Sequence, residues 1–230
     1  MAGLFLQEYE LLLFCKTLHL KFVAISDTHC RHRNLRLPKG DVLLHAGDIS
    51  YRGDLREIED FLHWFGALPY AYKIFIAGNH DFFFERAKDA LIRKLIPSTV
   101  SYLKDESIEI DGIKIWGSPY TPWFYRWAFN KRRGEPLAAH WQKIPDDTDI
   151  LLTHGPVHGI HDLTINEQHA GDKDLLKKVL TIKPKVHVCG HIHEGYGMVK
   201  RQGIKFLNAC ILNESYEFTN QPLQFELSKS

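Results

Sequence analysis

Five short apolar runs punctuate the chain, separated by longer stretches of mixed polarity. Each run has four to six residues and ends at a polar residue or before a glycine, which is typical of a buried strand. The predicted strands are Lys21–Ser26, Asp41–Ala46, Lys73–Ala77, Ile150–Thr153 and Val186–Cys189. The intervening stretches place apolar and charged residues at helical spacing, and they predict helices at Asp54–Phe65, Phe82–Leu95 and Asp172–Leu180.

Two further segments have the pattern of β-hairpins. Asp111-Gly112 and Gln202-Gly203 are two-residue turn signals, each flanked by strand-forming residues. The predicted hairpin strands are Ser107–Ile110, Ile113–Trp116, Met198–Arg201 and Ile204–Asn208, and Leu223–Leu227 is a candidate final strand. Strand–helix units followed by hairpins predict an α/β fold whose sheets are covered outside by helices. No internal repeat or linker is visible, so we expect a single domain over residues 21–230.

Residues 1–20 precede this regular pattern. Leu4–Leu20 is rich in leucine, but Glu8, Glu10 and Lys16 interrupt it. A signal peptide needs a basic start before an unbroken apolar run, and a membrane span needs about 20 apolar residues. We therefore predict no membrane span here. The segment is interpreted as an appendage that packs on the domain, binds a partner or is poorly ordered, and the sequence does not choose among these.

Composition narrows the class of function. The 29 Lys and Arg residues balance 28 Asp and Glu residues, whereas proteins with an extended nucleic-acid surface usually carry a clear basic excess. The four cysteines are widely spaced and form no CxxC pair, which argues against a zinc knuckle or a dense disulfide framework and favours reduced thiols in the cytoplasm. The 14 histidines are a high number for 230 residues and suggest metal chemistry.

Polar signatures follow all five predicted strands. Any one of them alone is compatible with a helix cap, a surface residue or a core residue. Together they are specific, because the carboxyl ends of strands gather at one edge of a sheet, where α/β proteins place their sites. The signatures are Asp27-Thr28-His29, Gly47-Asp48, Gly78-Asn79-His80-Asp81, Thr153-His154-Gly155-Pro156 and Gly190-His191-Ile192-His193.

These motifs resemble those of the calcineurin-like metallophosphoesterase superfamily. The longer strings LLHAGD, GSPYTPWFYRWAFN, LLTHGP and HIHEGYG are similar to the small metallophosphoesterase-domain (MPPED-type) family. The resemblance spans residues 27 to 193 for the short motifs. It implies a four-layer sandwich of two mixed β-sheets flanked by helices, with a dinuclear metal site at the carboxyl ends of the strands.

The resemblance also implies a role for each motif residue. One metal ion would be bound by Asp27, His29 and His193, and the other by Asn79, His154 and His191, with Asp48 bridging both. His80 would lie beside the metals as a catalytic acid without binding them, and Asp81 would orient its ring. No ligand position of the family pattern is missing.

The chemistry of these residues agrees with an anionic substrate. Two divalent ions bring four positive charges against the two carboxylates of Asp27 and Asp48, so the site stays net positive even with a bridging hydroxide. Four imidazoles favour Mn, Fe, Zn or Ni over Mg and Ca, and Mn²⁺ is our preferred ion. A metal pair about 3.5–4 Å apart activates a bridging hydroxide for attack on phosphorus.

From the resemblance we expect hydrolysis of phosphoesters, and of small phosphodiesters such as cyclic nucleotides in particular. Phosphomonoesterase activity is the nearest alternative. A protein-binding scaffold of the same fold and a DNA-processing nuclease are others. A complete set of ligands together with His80 disfavours the scaffold, and the balanced charge disfavours the nuclease.

Weaker features leave substrate contacts open. Six aromatic residues in Tyr120–Phe129 are interpreted first as packing for a long loop, with Trp123 as a candidate for stacking on substrate. Arg31, close to the first motif, is a candidate for contact with phosphate. Of the remaining histidines, we expect His45 and His187 in the core or on a sheet face, and His158, His161 and His169 exposed or supporting the site indirectly.

Overall fold

Two mixed β-sheets face each other in the computed structural model, which describes residues 19–228. The first sheet has five strands, in the spatial order β13 (Leu223–Ser228), β1 (His19–Ile25), β2 (Val42–His45), β3 (Tyr72–Phe75) and β4 (Ser101–Tyr102). The second has six, in the order β11 (Gly197–Arg201), β12 (Ile204–Asn208), β10 (Val186–Cys189), β9 (Ile150–Thr153), β6 (Ile113–Ser118) and β5 (Glu106–Ile110). β7 (Thr121–Pro122) and β8 (Asn130–Lys131) form a separate pair.

The helices lie between these strands in the chain. They are α1 (Leu55–Ala67), α2 (Phe82–Arg86), α3 (Asp89–Leu95), α4 (Glu135–Trp141) and α5 (Lys173–Ile182), with short 3₁₀ turns at His32–Asn34 and His193–Gly195. α1 and α5 each begin after an aspartate, Asp54 and Asp172, whose side chain accepts a hydrogen bond from a backbone N–H in the first turn. The same cap chemistry therefore fixes where the long helix of each half of the chain starts.

Alternation along the strands builds four layers. In β1, Phe22 and Ala24 face the second sheet, whereas Val23 and Ile25 face the outer helices. The cluster between the sheets joins residues of both, such as Leu44 and Leu152. A second cluster packs the first sheet against α1 to α3, and a third packs the second sheet against α4 and α5. The predicted sandwich of two mixed sheets flanked by helices is thus confirmed.

The strand directions place the carboxyl ends together. β1, β2, β3 and β4 are parallel neighbours, and so are β12, β10, β9 and β6, while β13, β11 and β5 pair antiparallel at the margins. The parallel centre of each sheet therefore sends several chain segments out at the same edge.

Some sequence-based expectations are corrected. The single helix predicted over residues 82–95 is two helices, because the backbone is extended at Ala87 and Lys88. This break lets Phe84 and Ile92 both pack against the outer cluster of the first sheet. β4, β7 and β8 were not predicted, because two-residue strands are too short to show a periodic pattern.

The first strand extends further toward the N-terminus than the predicted start at Lys21. β1 begins at His19, and Leu20 is already buried in the core. The rest of the predicted appendage, residues 1–18, lies outside the described residues. Within residues 19–228, no helix has both the length and the apolar character that crossing a bilayer requires.

Candidate metal centre

Side chains from both sheets converge beyond the ends of five strands. β1, β2 and β3 lead into Asp27, Asp48 and Asn79, and β9 and β10 lead into a set of histidines, His154, His191 and His193. Contacts link the two sheets here, since the His154 imidazole lies 2.9 Å from the Asn79 side-chain oxygen. The edge of the sandwich thus collects the residues that the sequence motifs singled out.

The backbone turns sharply directly after these strands. Asp27, His29, Asp48 and His191 all have positive φ, between 40° and 69°. The left-handed region is uncommon for residues other than glycine, although Asp and His are enriched there, and such residues cluster at functional sites. These turns lie where the chain leaves the strands, at the edge of the sandwich where the motif side chains converge.

Two glycines allow the motif loops to approach the carboxylates. A Cβ atom added to Gly78 would lie 2.2 Å from Asp48 Oδ1, and one added to Gly190 would lie 2.1 Å from Asp27 Oδ2. Any side chain at these positions would displace a carboxylate. This explains why GNHD and GHIH each begin with glycine.

Asp27 presents one oxygen to the centre. Its Oδ2 accepts hydrogen bonds from the His191 N–H and the Cys210 thiol, both at 3.0 Å. Its Oδ1 is buried without a hydrogen-bond partner and lies 3.6 Å from His193 Nε2 and 3.9 Å from His29 Nε2. Burial opposes ionisation, yet the neighbouring histidines hold the pKa of Asp27 well below its usual range.

Asp48 borders two groups of histidines. Its Oδ1 accepts from the His80 N–H at 2.8 Å and lies 3.4 Å from His154 Nε2. Its Oδ2 lies 3.8 Å from His29 Nε2 and 4.0 Å from His80 Nε2. Although burial opposes it, the surrounding histidines lower the pKa of Asp48, so this carboxylate is charged between the two groups.

Four imidazoles share one orientation. The ring Nδ1 of each lies within hydrogen-bond distance of a backbone carbonyl, which can only accept, so Nδ1 carries the hydrogen. In the neutral form of such a ring, Nε2 carries no hydrogen and is available to a metal ion, an arrangement typical of metal-binding histidines. The pairs are His29 with Ser50, His80 with Tyr51, His154 with Ala46 and His193 with Asn213, at 2.8–3.2 Å.

These residues fit divalent metal ions. Asp27 Oδ1 and His29 Nε2 are buried and have no hydrogen-bond partner, which is costly unless a ligand contacts them. Ligands bound to one ion at about 2.0–2.2 Å lie about 3–4 Å from each other, as the carboxylate–imidazole pairs here do. Nitrogen-rich donor sets of this kind suit transition metals better than Mg²⁺ or Ca²⁺.

Metal loading is expected to release protons. In the metal-free chain, the pKa values of His154 and His193 are each raised to about 9, because Asp48 and Asp27 respectively outweigh the opposing effect of burial. Both rings are therefore protonated at neutral pH, and a metal ion must displace those protons. We expect release of about two protons per chain at neutral pH, and an apparent metal affinity that falls as the pH is lowered below about 9. Calorimetry in buffers of different ionisation enthalpy measures this, and loading without proton release would contradict it.

Asp81 does not orient the His80 ring as predicted. The Tyr51 carbonyl accepts from His80 Nδ1 instead. The Asp81 carboxylate is fully buried and accepts hydrogen bonds from three backbone N–H groups, those of Ile49, Ser50 and Gly78. The family resemblance implied a direct contact, but the loop directs Asp81 away from the ring and into the base of the two motif loops. Asp81 therefore fixes the backbone that carries Asn79 and His80.

Asp81→Asn should destabilise the fold. The amide offers one acceptor oxygen where the carboxylate offers two, so its NH₂ group would face backbone N–H groups. We expect a loss of about 2–4 kcal/mol in the free energy of unfolding, measured by urea denaturation of the metal-free protein. Asp146→Asn is the control, because Asp146 pairs with Lys178 at an exposed site and should contribute less than about 1 kcal/mol. Equal stability of the Asp81→Asn variant and the wild type would contradict this role.

A cleft of about 290 Å³ opens over the converging residues. Its aromatic wall is Phe124, Trp127 and Tyr216, with Trp127 stacked on His80 at 4.3 Å between ring centroids. The lining also includes Asp48, Asn79, His80, His191, His193, Glu194 and Glu214. No arginine or lysine of the described residues lines it. The sequence did not identify Trp127 or Tyr216 as residues of the cleft. The aromatic segment 120–129 was the only signal for Trp127, and no pattern marked Tyr216.

The candidate substrate contacts lie elsewhere. Trp123 is 59% exposed and Arg31 is exposed, and neither lines the cleft. His45 and His187 are buried in the strands, where each ring lies within 3.0 Å of a threonine hydroxyl, as expected for core histidines. Cys210 was not singled out from the sequence. Burial raises the pKa of its thiol well above the usual range, so it donates to Asp27 rather than acting as a thiolate.

Comparisons with known proteins agree with this geometry. The family model described as calcineurin-like phosphoesterase matches residues 20–195. Metallophosphoesterase domain-containing protein 1 of Homo sapiens is 38% identical over 91% of this chain and 71% of its own length. A UPF0046 protein of Caenorhabditis elegans is 35% identical over 93% of this chain and 77% of its own length.

A solved structure shows the same fold. Phosphopantetheinyl hydrolase from Mycobacterium tuberculosis superposes with a TM-score of 0.54 at 15% identity, covering 85% of this chain and 90% of that one. The motifs, the sandwich and the relatives all agree with the resemblance found in the sequence. The chain therefore belongs to the calcineurin-like phosphoesterase family of metal-dependent phosphoesterases.

Proposed function

We propose that this chain is a dinuclear metal-dependent phosphodiesterase. The observation that carries the proposal is the position of Asp48, whose two carboxylate oxygens face different histidines, His154 and His29. A carboxylate placed in this way is suited to bridging two ions. Asp27, His29 and His193 would complete one coordination set, and Asn79, His154 and His191 the other.

The bound ions would activate a water molecule and stabilise charge on the phosphoryl oxygens. We propose Mn²⁺ as the preferred ion, with Fe, Zn or Ni as alternatives, because imidazoles outnumber carboxylates in the set. The residues of the chain supply the geometry: the Nδ1–H hydrogen bonds to backbone carbonyls hold the imidazoles, and the His191 N–H holds Asp27.

His80 is the proposed proton donor to the leaving group. Its ring is held on two sides, by the Tyr51 carbonyl at Nδ1 and by the stacked Trp127 indole. Its Nε2 lies 4.0 Å from Asp48 Oδ2 and borders the cleft. An imidazolium at this position would donate from Nε2 to a departing alkoxide while Nδ1–H keeps the ring fixed.

The charge of the cleft favours diesters over monoesters. A phosphodiester carries one negative charge, whereas a phosphomonoester carries close to two at neutral pH. Glu194 and Glu214 line the cleft, and no cationic side chain of the described residues offsets them there. The two glutamates would therefore offset part of the attraction that the metal ions exert, and more so for the dianionic monoester, without a compensating arginine or lysine.

The aromatic wall suits a substrate with a flat apolar group. Phe124, Trp127 and Tyr216 border the cleft and offer ring faces and edges on which a nucleobase could stack. Small nucleotide diesters, including cyclic nucleotides, are therefore the proposed substrate class. A cytoplasmic location is part of the proposal, because Cys30, Cys189 and Cys210 are free thiols. Partner binding through residues 1–20 stays a prediction.

Comparing two model substrates tests the diester preference. Metal-stripped protein is restored with Mn²⁺, and kcat/KM is measured for bis(p-nitrophenyl) phosphate and for p-nitrophenyl phosphate. We expect kcat/KM for the diester to be higher by on the order of tenfold, about 1.4 kcal/mol in transition-state stabilisation. A higher value for the monoester, repeated with Zn²⁺, Fe²⁺ and Ni²⁺, would replace the proposal by a phosphomonoesterase. Absence of turnover of both substrates would favour a binding role.

Glu214→Gln should reduce the preference for the diester over the monoester. Removing one exposed negative charge from the cleft relieves more repulsion for a dianion than for a monoanion, so kcat/KM for the monoester should rise about two- to threefold relative to the diester. Glu109→Gln is the matched control, because Glu109 is an exposed residue of β5 that does not line the cleft. If the ratio of kcat/KM for the two substrates were identical in the wild type, Glu214→Gln and Glu109→Gln, the charge of the cleft would not set the preference for the diester.

A further inference from the structure

A second group of metal-binding side chains lies in the loop between β9 and α5. Single ligand atoms of His158, Asp162 and His169 all lie within 4.8 Å of one another. The two imidazoles are 5.0 Å apart between centroids, on either side of the same carboxylate. None of the three lines the catalytic cleft.

The carboxylate of this group is preorganised. Asp162 is 2% exposed, and its Oδ2 accepts from the backbone N–H groups of Gly159 at 2.9 Å and Gly171 at 3.1 Å. Its Oδ1 lies 2.8 Å from His169 Nδ1. A buried charge held by backbone donors, with Oδ1 near the His169 imidazole and Oδ2 nearer the His158 imidazole, costs little reorganisation when a cation binds.

Hydrogen bonds within the loop account for the positions of the Asp162 and His169 side chains, but not for the position of the His158 ring. The His158 ring makes no hydrogen bond within the described residues, and its Nδ1 lies 3.7 Å from Asp162 Oδ2, beyond hydrogen-bond distance. That spacing matches two ligands of one ion. About a third of the His158 side chain and half of the His169 side chain are exposed, so water could complete the coordination shell.

We infer that His158, Asp162 and His169 bind a transition-metal ion such as Zn²⁺, at a site separate from the catalytic centre. Two imidazoles and one carboxylate select Zn²⁺ over Mg²⁺ or Ca²⁺, and three protein ligands leave room for water. Arg133 and Lys173 border the same cavity, together with Asp172 and Asp174, so the surrounding charges roughly balance. The inference does not depend on the proposed function.

A bound ion would link the two ends of the segment 159–168. His158 and His169 flank the segment 159–168, whose Ile165 N–H donates to Glu194 at 2.7 Å. Glu194 also lines the catalytic cleft, so the loop supports part of its rim. Bound Zn²⁺ would therefore hold this rim in place without contacting substrate.

Zinc binding to His158→Gln tests the inference. The His158 ring makes no hydrogen bond in the metal-free chain, so this substitution should leave the fold intact. Equilibrium dialysis of the full chain against Zn²⁺ should show one fewer ion per chain in His158→Gln than in the wild type, with affinity at the lost site weakened by on the order of a hundredfold. His63→Gln is the control, because His63 is exposed on α1 and should leave the number of ions unchanged.

A second readout reports on the loop itself. Zn²⁺ should slow cleavage after Glu167 by a glutamate-specific protease in the wild type and in His63→Gln, but not in His158→Gln. Turnover of bis(p-nitrophenyl) phosphate with Mn²⁺ should remain within about twofold in all three proteins, since the site is separate from the catalytic centre. Equal zinc stoichiometry and affinity in the wild type and His158→Gln would overturn the inference, whatever the result for phosphodiester hydrolysis.

Discussion

Asp48→Asn should lower kcat/KM for phosphodiesters by on the order of 10³-fold or more, about 4 kcal/mol of lost transition-state stabilisation. The substitution keeps the shape of the side chain and removes the charge that lies between His154 and His29. A neutral amide cannot bridge two cations as a carboxylate does. We therefore expect loss of bound metal together with loss of activity.

Two measurements made side by side check this expectation. Metal content per chain is determined after dialysis against Mn²⁺, and turnover of bis(p-nitrophenyl) phosphate is measured on the same sample. Asp111→Asn provides the control, because Asp111 lies exposed in the turn between β5 and β6, where asparagine is also favoured. If Asp48→Asn bound a full complement of metal and turned over normally, the bridging role of Asp48 would be wrong.

The second large effect should come from His80→Ala and should depend on the leaving group. The His80 ring is held by Tyr51 and Trp127 and is proposed not to bind metal, so its removal should leave the metal content unchanged. Loss of a general acid costs about 10²- to 10⁴-fold when the leaving group is a poor one. For a nitrophenolate, which leaves without protonation, we expect a loss of less than about tenfold.

The leaving-group dependence is measured with two nucleotide diesters. The p-nitrophenyl ester of thymidine 5′-monophosphate releases a nitrophenolate, whereas 3′,5′-cyclic AMP must release an alkoxide. His63→Ala controls for removal of an exposed imidazole far from the cleft. Equal losses with both substrates would assign His80 a positioning role instead of proton donation, and loss of metal would identify it as a ligand.

The convergence of the motif residues was predictable because it follows from backbone rules. Glycine and polar residues at the ends of apolar runs mark the exits of parallel strands, and parallel strands exit at one edge. Asp27 and Asp48 could thus be placed before any coordinates. The close approach of Gly78 and Gly190 to these carboxylates then explains why the motifs contain glycine at those positions.

Contacts between distant segments were not predictable in the same way. Tyr216 packs edge-on against His29, and the Cys210 thiol donates to Asp27. Tyr216 and Cys210 both follow β12, and no sequence pattern around them indicates a contact with the metal centre. Trp127 rather than Trp123 reaches the cleft, because positive φ at Tyr125 and Phe129 shapes the aromatic loop. Such choices depend on loop conformation, which hydrophobic periodicity does not encode.

The contacts of Asp81, His158 and His169 depend on how loops close. The family resemblance assigned Asp81 to the His80 ring, but its oxygens accept hydrogen bonds from the backbone of two loops. His158 and His169 are 11 positions apart in a loop and gave no spacing signal, although the bridge between Val157 and Asp172 brings the ends of this loop together. In both cases loop closure decides which polar groups meet.

Two metal ions are proposed to act together in one phosphodiesterase site. The direct test is to titrate chelator-stripped protein with Mn²⁺ in the His158→Gln background, following bound metal per chain and hydrolysis of bis(p-nitrophenyl) phosphate in parallel. We expect no turnover without metal and full turnover only when two ions are bound per chain. Turnover by the metal-free protein, or full turnover with a single ion, would contradict it.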